Sequence, residues 1–212
     1  MRPLVRLLWL TLAALTLVAA PAPAQDKGTP GKFDFYLLDV AYGPDFCNVP
    51  GIGQPCTPPH GFALHGLWPQ NNNGTYPVFC AEKPGLLSYD SALKYTPNLE
   101  LVKHEWAKHG TCTDLTASLY FIAAHMAYHS FAIPAELEHV TQPIDTTADH
   151  ILDLFHAANP SYPPDSLVLG CSKGMFTAVA ACLGKDLNPI ACQNVHLCSE
   201  KALKVAVSEP AK

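Results

Sequence analysis

The sequence predicts an α+β fold in a single domain, and two observations carry this prediction. Patterns typical of strands and of helices both occur, but they do not follow the regular strand–helix alternation of a parallel α/β sheet. No internal repeat and no linker divides the chain, whose 212 residues are enough for one sizeable core. We therefore expect helices packed against a sheet within one domain.

The first residues have the layout of a secretory signal peptide. Two arginines precede an apolar run at residues 7–20, and the small residues Ala22-Pro23-Ala24 offer a cleavage site. The apolar run is shorter than the roughly 20 residues that a helix needs to span a bilayer. We therefore predict a signal peptide at 1–24 and a domain at 25–212 that is secreted or periplasmic, with no membrane attachment once the signal is removed.

The charge of the predicted domain argues against tight binding to duplex nucleic acid. It contains no arginine and has 11 lysines against 18 acidic residues, a formal charge of −7 at pH 7 with neutral histidines. Proteins that hold duplex DNA by its phosphates are usually basic and rich in arginine. The charge is compatible with transient binding of single-stranded nucleic acid.

Eight cysteines follow the predicted signal peptide, an even number in an oxidising compartment, so we expect four disulfides. No two of them have the C-x-x-C spacing of a structural zinc site. Their spacing alone leaves the pairing open. The eight are Cys47, Cys56, Cys80, Cys112, Cys171, Cys182, Cys192 and Cys198.

The first half of the domain contains two segments typical of strands. FDFYLLDV, at 33–40, is rich in aromatic and branched residues and indicates a buried strand. The stretch at 41–60 is rich in proline and glycine, which predicts a loop stapled by the first two cysteines. GFALHGLW, at 61–68, predicts a short strand that ends at Gly66, and NNNG, at 71–74, predicts a turn.

Three stretches predict helices. Asn98 can cap a helix that ends at Gly110. Residues 115–131 and 147–159 form the other two, and Pro160 stops the last one. The second of these helices carries apolar residues at helical spacing, namely Leu115, Leu119, Ile122 and Met126.

Residues 166–182 predict a β-hairpin. The apolar runs SLVLGCS and MFTAVAAC flank the pair Lys173-Gly174, which suits a tight turn. Because strands and helices are mixed in this way along the chain, the hairpin supports the α+β class.

A cluster of reactive side chains lies in the stretch KHEWAKHGTC. On a helix with about 100° per residue, His104, Glu105, Lys108 and His109 share one arc beside an apolar stripe. A solvated polar face is the ordinary explanation of such a cluster. A zinc site of the His-Glu-x-x-His type does not fit, because these histidines are five residues apart with a lysine between them. Proton transfer with stabilisation of a developing oxyanion suits the residue types.

A second cluster, in the stretch FALHGLWPQNNNGTYP, combines a histidine with aromatic rings. Strand alternation places His65 on the face opposite Phe62 and Leu64. Trp68 and Tyr76, on the following loop, could stack on a base. The alternative is that Trp68 belongs to the core and that His65 is a buried, hydrogen-bonded histidine.

The remaining histidines have no role that their spacing supports. His125 and His129 are four residues apart on a predicted helix, a geometry that could hold a metal ion, but no third ligand is evident. We therefore predict neither a metal site nor a cofactor.

Together, HGLWPQ at 65–70 and HEWAKHGTC at 104–112 resemble the two active-site segments of the ribonuclease T2 family of secreted, acid-tolerant endoribonucleases. The likeness extends to FDFYLL near the start of the domain and to the last four cysteines, so it covers most of the domain. It implies an antiparallel sheet packed with helices. It also implies three disulfides, Cys80–Cys112, Cys171–Cys198 and Cys182–Cys192, which leaves Cys47–Cys56.

The resemblance implies an activity and a role for each reactive residue. Members of the family cleave single-stranded RNA without metal by attack of the ribose 2′-OH on its own phosphate, through a 2′,3′-cyclic phosphate to 3′-phosphate ends. By resemblance, His109 is the base and His65 the acid. His104 would hold the phosphate, while Glu105 and Lys108 would orient groups and stabilise the transition state.

The resemblance also implies how substrate is bound. Trp68, Gln70 and Tyr76 match family positions that hold a base, and stacking tolerates any base, so low base specificity is expected. The segment after the first strand departs from the family pattern, which leaves a second base subsite open. We expect a monomer whose partner is single-stranded RNA. DNA is not expected as a substrate, because it lacks the 2′-OH.

Two rival hypotheses stay open. A secreted metal-dependent phosphodiesterase could use the same histidines. A catalytically silent relative could act as a secreted binding or toxin-like module, although the retention of His65 and of the whole HEWAKH stretch counts against this.

The histidine content predicts that activity is highest below neutral pH. Ten histidines, with reference pKa values near 6.5, can gain charge between pH 7 and 5 and reduce the repulsion between an acidic domain and RNA. One catalytic histidine must start protonated and the other neutral, so we expect a bell-shaped pH profile.

Overall fold

A computed structural model describes residues 26–43, 61–96 and 98–208. The predicted signal peptide and the predicted Cys47–Cys56 disulfide lie outside these residues. The described residues form a mixed α+β structure, which confirms the predicted fold class. No helix in these ranges is long and apolar enough to cross a membrane.

In the described part of the chain, six strands form the central sheet. The strands in chain order are β1 (Asp26–Lys27), β2 (Phe35–Tyr42), β3 (Phe62–Gln70), β4 (Pro77–Val78), β5 (Ile144–Thr147), β6 (Leu167–Ser172), β7 (Met175–Leu183) and β8 (Ala202–Val205). The order in the sheet is β3-β2-β7-β8-β5, with β6 paired to β7, while β1 and β4 pair separately. Its strand pairs are antiparallel except β7–β8, which is parallel. The central strand β2 is buried along its whole length, as the apolar composition of this segment predicts.

The predicted hairpin is confirmed. Strands β6 and β7 pair around Lys173 and Gly174, whose φ angles are 52° and 76°. Two positive φ angles in a two-residue turn match the right-handed twist of the flanking strands.

Strand β3 is longer than predicted. It does not end at Gly66 but continues to Gln70, because its second half pairs with the first half of β2 from Phe35 onward. The predicted turn follows directly, with the Gly74 amide donating to the Asn71 carbonyl at 3.1 Å.

A β-bulge interrupts the alternation of β3 at His65. Asp39 pairs with Gly66 and Val40 pairs with Leu64, so His65 is an extra residue in the ladder. Such a residue shifts the phase of all side chains that follow. The alternation predicted for Phe62 to His65 therefore does not continue into the rest of the strand.

The phase shift determines which residues of β3 enter the core. Leu64 and Leu67 both join the main hydrophobic cluster between the sheet and the helices. Trp68 packs instead against a second cluster on the other face, formed by Phe35, Leu37 and residues of β7.

Four α-helices accompany the sheet within the described ranges. They are α1 (Leu99–Lys108), α2 (Ala117–Ser130), α3 (Ala135–Glu138) and α4 (Ala148–Ala158). The side chains of Asn98, Thr116 and Thr147 accept hydrogen bonds from the first turns of α1, α2 and α4. The three predicted helices are thus confirmed.

The apolar spacing that predicts α2 does not identify its buried face. Leu119, Ile122 and Met126 are 51%, 51% and 61% exposed. The buried face instead carries Tyr120 and Phe121 together with alanines, which let the helix lie close to the sheet. The Tyr120 hydroxyl donates to the carbonyl of Leu67 in β3 at 2.9 Å, which fixes this orientation.

Three disulfides are present in the described residues. They join Cys80 to Cys112, Cys171 to Cys198 and Cys182 to Cys192, the pairs that the resemblance implies. The first of them connects the segment after β4 to the turn that follows α1.

Candidate active site

Helix α1 carries four of the predicted site residues. Glu105 and His109 are both 3% exposed, whereas His104 lies at the surface. Glu105 and His109 are four residues apart, so their side chains project to the same side of the helix. Lys108 is the last helical residue, and His109 is the C-terminal cap.

A tight turn holds the end of α1 against strand β3. The backbone of Gly110 packs on the ring of Trp106, and a Cβ atom at this position would collide with that ring. The Cys80–Cys112 disulfide then ties the turn to the segment after β4. The position of His109 is therefore fixed by packing and by a covalent bond.

Gly66 allows β3 and α1 to meet. A Cβ atom at Gly66 would collide with the Glu105 carboxylate and with the Trp68 indole nitrogen. Without it, the Trp68 Nε1–H donates to Glu105 Oε2 at 2.6 Å. This bond links strand to helix and gives the buried carboxylate a partner.

His65 lies between two carboxylates. Its Nδ1 is 3.0 Å from Asp39 Oδ1, and its Nε2 is 3.5 Å from Glu105 Oε1. Burial alone would lower the pKa of His65, but the hydrogen bond to Asp39 and the charges of Glu105 and Asp39 outweigh burial and the opposing charge of Lys108. The pKa of His65 is therefore raised.

His109 has the opposite environment. Burial lowers its pKa to about 2, and the positive charges of Lys108, His65 and His104 act in the same direction. Its ring stacks on Trp68 at a centroid distance of 5.1 Å. A cation at a helix C-terminus gains about 0.3–1 kcal/mol from the helix dipole, which is too little to offset this burial.

The Nδ1 atom of His109 is also buried, and within the described part of the chain it has no hydrogen-bond partner. A buried polar atom that stays unpaired costs about 1–3 kcal/mol. His109 is thus a neutral base with an unused hydrogen-bonding atom.

His104 and Lys108 lie at the outer side of α1. Burial, together with the charges of Lys108 and His65, lowers the pKa of His104. The exposed ring of Phe79 packs edge-on against His104 at a centroid distance of 6.3 Å. The charge of Lys108 acts on His65, His104, Glu105 and His109, so this lysine is electrostatically part of the cluster.

The three predicted base-binding residues have different positions. Trp68 lies within β3 and not on the following loop as predicted, and its ring also packs edge-on against His65 at 4.9 Å. Tyr76 reaches the site, with its ring 6.5 Å from that of His109. Gln70 is only 8% exposed. The structure therefore brings two of the three to the cluster and buries the third.

Asp39 is a site residue to which the sequence analysis assigned no role. It is 4% exposed in the centre of β2, yet its carboxylate contacts the His65 ring. The available signal was an acidic residue within the apolar run FDFYLLDV, since buried charges are usually paired.

Outside this cluster, the histidine pair on α2 is accounted for by aromatic packing. His125 and His129 contact the ring of Tyr95 at centroid distances of 4.2 and 4.9 Å. Within residues 26–43, 61–96 and 98–208, no group of three or more His, Cys, Asp or Glu side chains is arranged to hold a metal ion.

The arrangement can donate and accept protons at separate positions. Carboxylates raise the pKa of His65 and so favour its protonated form, burial lowers the pKa of His109 and so favours its neutral form, and Trp68 contacts both rings. Glu105 connects the two sides through its contacts with His65 and Trp68. Such a site suits general acid–base chemistry beside the positive charge of Lys108.

Comparisons with known proteins identify the family of the chain. Residues 33–192 match the model of the Ribonuclease T2 family. Ribonuclease DdI of Dictyostelium discoideum is 29% identical over 198 residues, which cover 82% of this chain and 86% of that protein.

Solved structures support the fold. An RNase-related protein from Calystegia sepium is similar with a TM-score of 0.67 at 20% identity, covering 84% of this chain and 98% of that chain. RNase NT, solved in complex with 5′-AMP, is similar with a TM-score of 0.57 at 22% identity, covering 81% and 98%.

Proposed function

The chain belongs to the ribonuclease T2 family and is an RNA-cleaving endoribonuclease, and from this premise we propose that it cleaves single-stranded RNA by transphosphorylation. The ribose 2′-OH attacks its own phosphate, the 5′-oxygen of the next nucleotide leaves, and a 2′,3′-cyclic phosphate forms. Water then opens the cyclic phosphate to a 3′-phosphate. Neither step takes up a metal ion.

One observation carries this proposal, which is that two histidines contact the same indole from opposite surroundings, His65 facing carboxylates and His109 buried. His109, neutral because it is buried, takes the proton of the 2′-OH. His65, whose protonated form the facing carboxylates favour, gives a proton to the leaving oxygen. The two residues exchange roles when water attacks the cyclic phosphate.

The remaining side chains assist this proton transfer. Lys108 supplies positive charge for the crowded phosphorane, and His104, exposed at the edge of the cluster, holds the phosphate. Glu105 orients His65 and Trp68 through its two contacts. Because His109 is only 3% exposed, substrate binding must move one of the rings that cover it.

Base recognition follows from the same geometry. Tyr76 stacks on the base, since Trp68 is already engaged with Glu105 and His109. Gln70, being buried, shapes the wall of the base site and does not read base edges. Stacking without edge contacts gives low base specificity.

Partners and compartment are part of the proposal. DNA is not a substrate because it has no 2′-OH. The enzyme acts as a monomer that is secreted or periplasmic, which three disulfides in the described residues support.

The decisive experiment treats a defined RNA oligonucleotide with the purified protein in excess EDTA. We expect full activity, with products that end first in 2′,3′-cyclic phosphate and later in 3′-phosphate, identified by mass spectrometry. An oligonucleotide with a single ribose among deoxyriboses should be cut only after that ribose.

Each rival hypothesis gives a different result. Loss of cleavage in EDTA would establish the metal-dependent phosphodiesterase, and cleavage of all-deoxy substrate would exclude attack by the 2′-OH. An inactive but folded protein would point to the silent binding module.

A further inference from the structure

We propose that Asp39 is a positioning residue, which holds the Nδ1–H of His65 so that Nε2 is the atom that delivers and receives the catalytic proton. The inference rests on the proposed function in so far as His65 is the proton donor. Asp39 itself touches neither substrate nor reacting atoms.

The first argument is geometric. Asp39 pairs with Gly66 across the ladder between β2 and β3, directly beside the bulge at His65. The bulge turns the His65 ring over this pair, and Nδ1 comes within 3.0 Å of Asp39 Oδ1, a hydrogen-bond distance. Because β2 pairs with β3 on one side and with β7 on the other, the ladder fixes the backbone positions of both residues and thereby sets this contact.

The second argument concerns which nitrogen carries the proton. An ionised carboxylate can only accept a hydrogen bond, so the nitrogen that faces Asp39 must be the one that keeps its hydrogen. Nε2 faces Glu105 at the longer distance of 3.5 Å. The shorter contact therefore selects the tautomer of neutral His65, and Nε2 is left to exchange protons with the substrate.

The third argument is the balance of charge around His65. From β2, Asp39 faces the ring. From α1, Glu105 favours its protonated form, whereas Lys108 opposes it. The two other histidines of the cluster, His104 and His109, have pKa values that are lowered in part by the charge of His65. Without Asp39, a single buried carboxylate would remain against Lys108.

Burial makes the pair mutually dependent. Asp39 is 4% exposed, and a buried carboxylate that loses its partner is strongly destabilised. His65 supplies that partner, while about a quarter of its side chain stays exposed to solvent and substrate. Asp39 thus acts on the reaction only through His65.

The first test needs no substitution. Long-range ¹H–¹⁵N NMR of the whole protein, at a pH where His65 is neutral, should give the Nδ1–H tautomer for this ring. The Nε2–H tautomer would overturn the proposal. This measurement does not use RNA, so it decides the inference even if the proposed ribonuclease mechanism fails.

The second test uses Asp39→Asn and Asp39→Glu, with Asp34→Asn as the matched control. Asp34 lies just before β2 and is exposed, and its carboxylate accepts a hydrogen bond from the Asn72 amide, which an asparagine oxygen can also accept.

For Asp39→Asn we expect the alkaline pKa of the kcat/KM profile to fall by about one unit or more, because the charge that favours protonated His65 is lost. At pH 7 the rate should fall about 10- to 100-fold, as when other groups that orient a histidine are removed. Asp39→Glu, which keeps the charge, should restore part of the alkaline shift, and Asp34→Asn should match the parent.

A purely structural role predicts a different result. It would lower the thermal midpoint of Asp39→Asn and the yield of active protein, but leave the pH profile of the folded fraction unchanged. An unchanged alkaline limb in folded Asp39→Asn would therefore refute the positioning role.

Discussion

The two sides of the cluster use the same side chain for opposite purposes. On the strand side, His65 faces Asp39 and Glu105, and its pKa is raised. On the helix side, His109 is covered by aromatic rings and surrounded by cationic groups, and its pKa is lowered to about 2. The proposed division into proton donor and proton acceptor therefore rests on the surroundings, since the residue type is identical.

The two sides of the cluster are connected by Glu105 and Trp68, which we call the junction. Glu105 contacts His65 with one oxygen and Trp68 with the other, and the Trp68 ring stacks on His109. Substitutions of either histidine, substitutions in the junction and changes of pH should therefore affect the two sides to different extents.

The largest effect is expected when either histidine is removed. His65→Ala and His109→Ala should each lower kcat by about 10² to 10⁴-fold, because each deletes one half of the proton transfer. The loss of kcat in the double variant should be far smaller than the product of the two single losses, since the residues act as a unit. Steady-state cleavage of RNA measures this.

His150→Ala is the matched control for these variants. His150 is exposed on α4, away from the cluster, so its removal should leave kcat unchanged. If RNA cleavage survives in both His65→Ala and His109→Ala, the roles assigned to these histidines are wrong.

A methyl group at Gly66 should damage both sides together. In Gly66→Ala, the new Cβ displaces the Glu105 carboxylate and the Trp68 indole. We expect a loss of about 1–3 kcal/mol in the free energy of unfolding from overpacking. We also expect kcat to fall about 100-fold from misplaced groups. Denaturant unfolding and RNA cleavage report the two effects.

Gly170→Ala separates stability from activity. This glycine lies in β6, where a Cβ would contact Ala178 at 3.0 Å, so the variant should lose stability without a change in kcat. Equal activity of Gly66→Ala and the parent would show that the junction is dispensable.

Trp68→Phe should loosen the junction more gently. The variant keeps a ring beside His109 but deletes the 2.6 Å hydrogen bond, which leaves a buried oxygen of Glu105 unsatisfied. The expected cost is about 1–3 kcal/mol of stability, measured by thermal or denaturant unfolding, with a moderate loss of kcat.

Trp106→Phe provides the comparison. It deletes a 3.3 Å bond from Trp106 Nε1 to the Lys83 carbonyl on the core side of the same helix, without contact to Glu105. A loss of activity in this variant as large as in Trp68→Phe would mean that helix packing, and not the junction, is what matters.

The smallest and most direct test is an NMR titration of the intact protein. Since the folded pKa of His65 is raised, its ring should titrate above 6.5. Since that of His109 is lowered to about 2, its ring should stay neutral until the protein unfolds. The value of kcat/KM should then fall at alkaline pH as His65 loses its proton. A His109 signal that titrates near 6.5 would contradict the proposed division.

The low pKa of His109 bears on the bell-shaped profile expected from histidine content. With a pKa of about 2, His109 would not set the acid limb. We expect that limb to follow Glu105, whose pKa burial raises even though His65 and Trp68 oppose this. Unfolded His109 gains a proton below about pH 6.5 while the folded one does not, so His109 also lowers the stability of the fold as the pH falls from 6.5.

Local features of the structure were predictable from the sequence. The helix at Ala148–Ala158 lies between its Thr147 cap and Pro160, and the hairpin turns at Lys173-Gly174, because these signals are contained in a few adjacent residues. The side chains of His104, Glu105 and Lys108 are placed by helical geometry, because all three residues lie within α1.

Features that depend on distant strands were not predictable. The continuation of β3 past Gly66 and the bulge at His65 arise from pairing with β2, which lies more than 20 residues earlier in the chain. The contact between Asp39 and His65 follows from that pairing. On α2, spacing indicated a helix, but whether large residues or alanines face the sheet depends on the sheet itself.

The bulge in β3 has a consequence for how easily this fold could lose its chemistry. The pairs Val40–Leu64 and Asp39–Gly66 flank His65, so a chain that lacked this one residue would keep both pairs and gain an uninterrupted ladder. Phe62, Leu64 and Leu67 would then alternate regularly into the core. The proposed proton donor is thus supernumerary to the scaffold, and we expect deletion of its codon to give a regular sheet that lacks the activity.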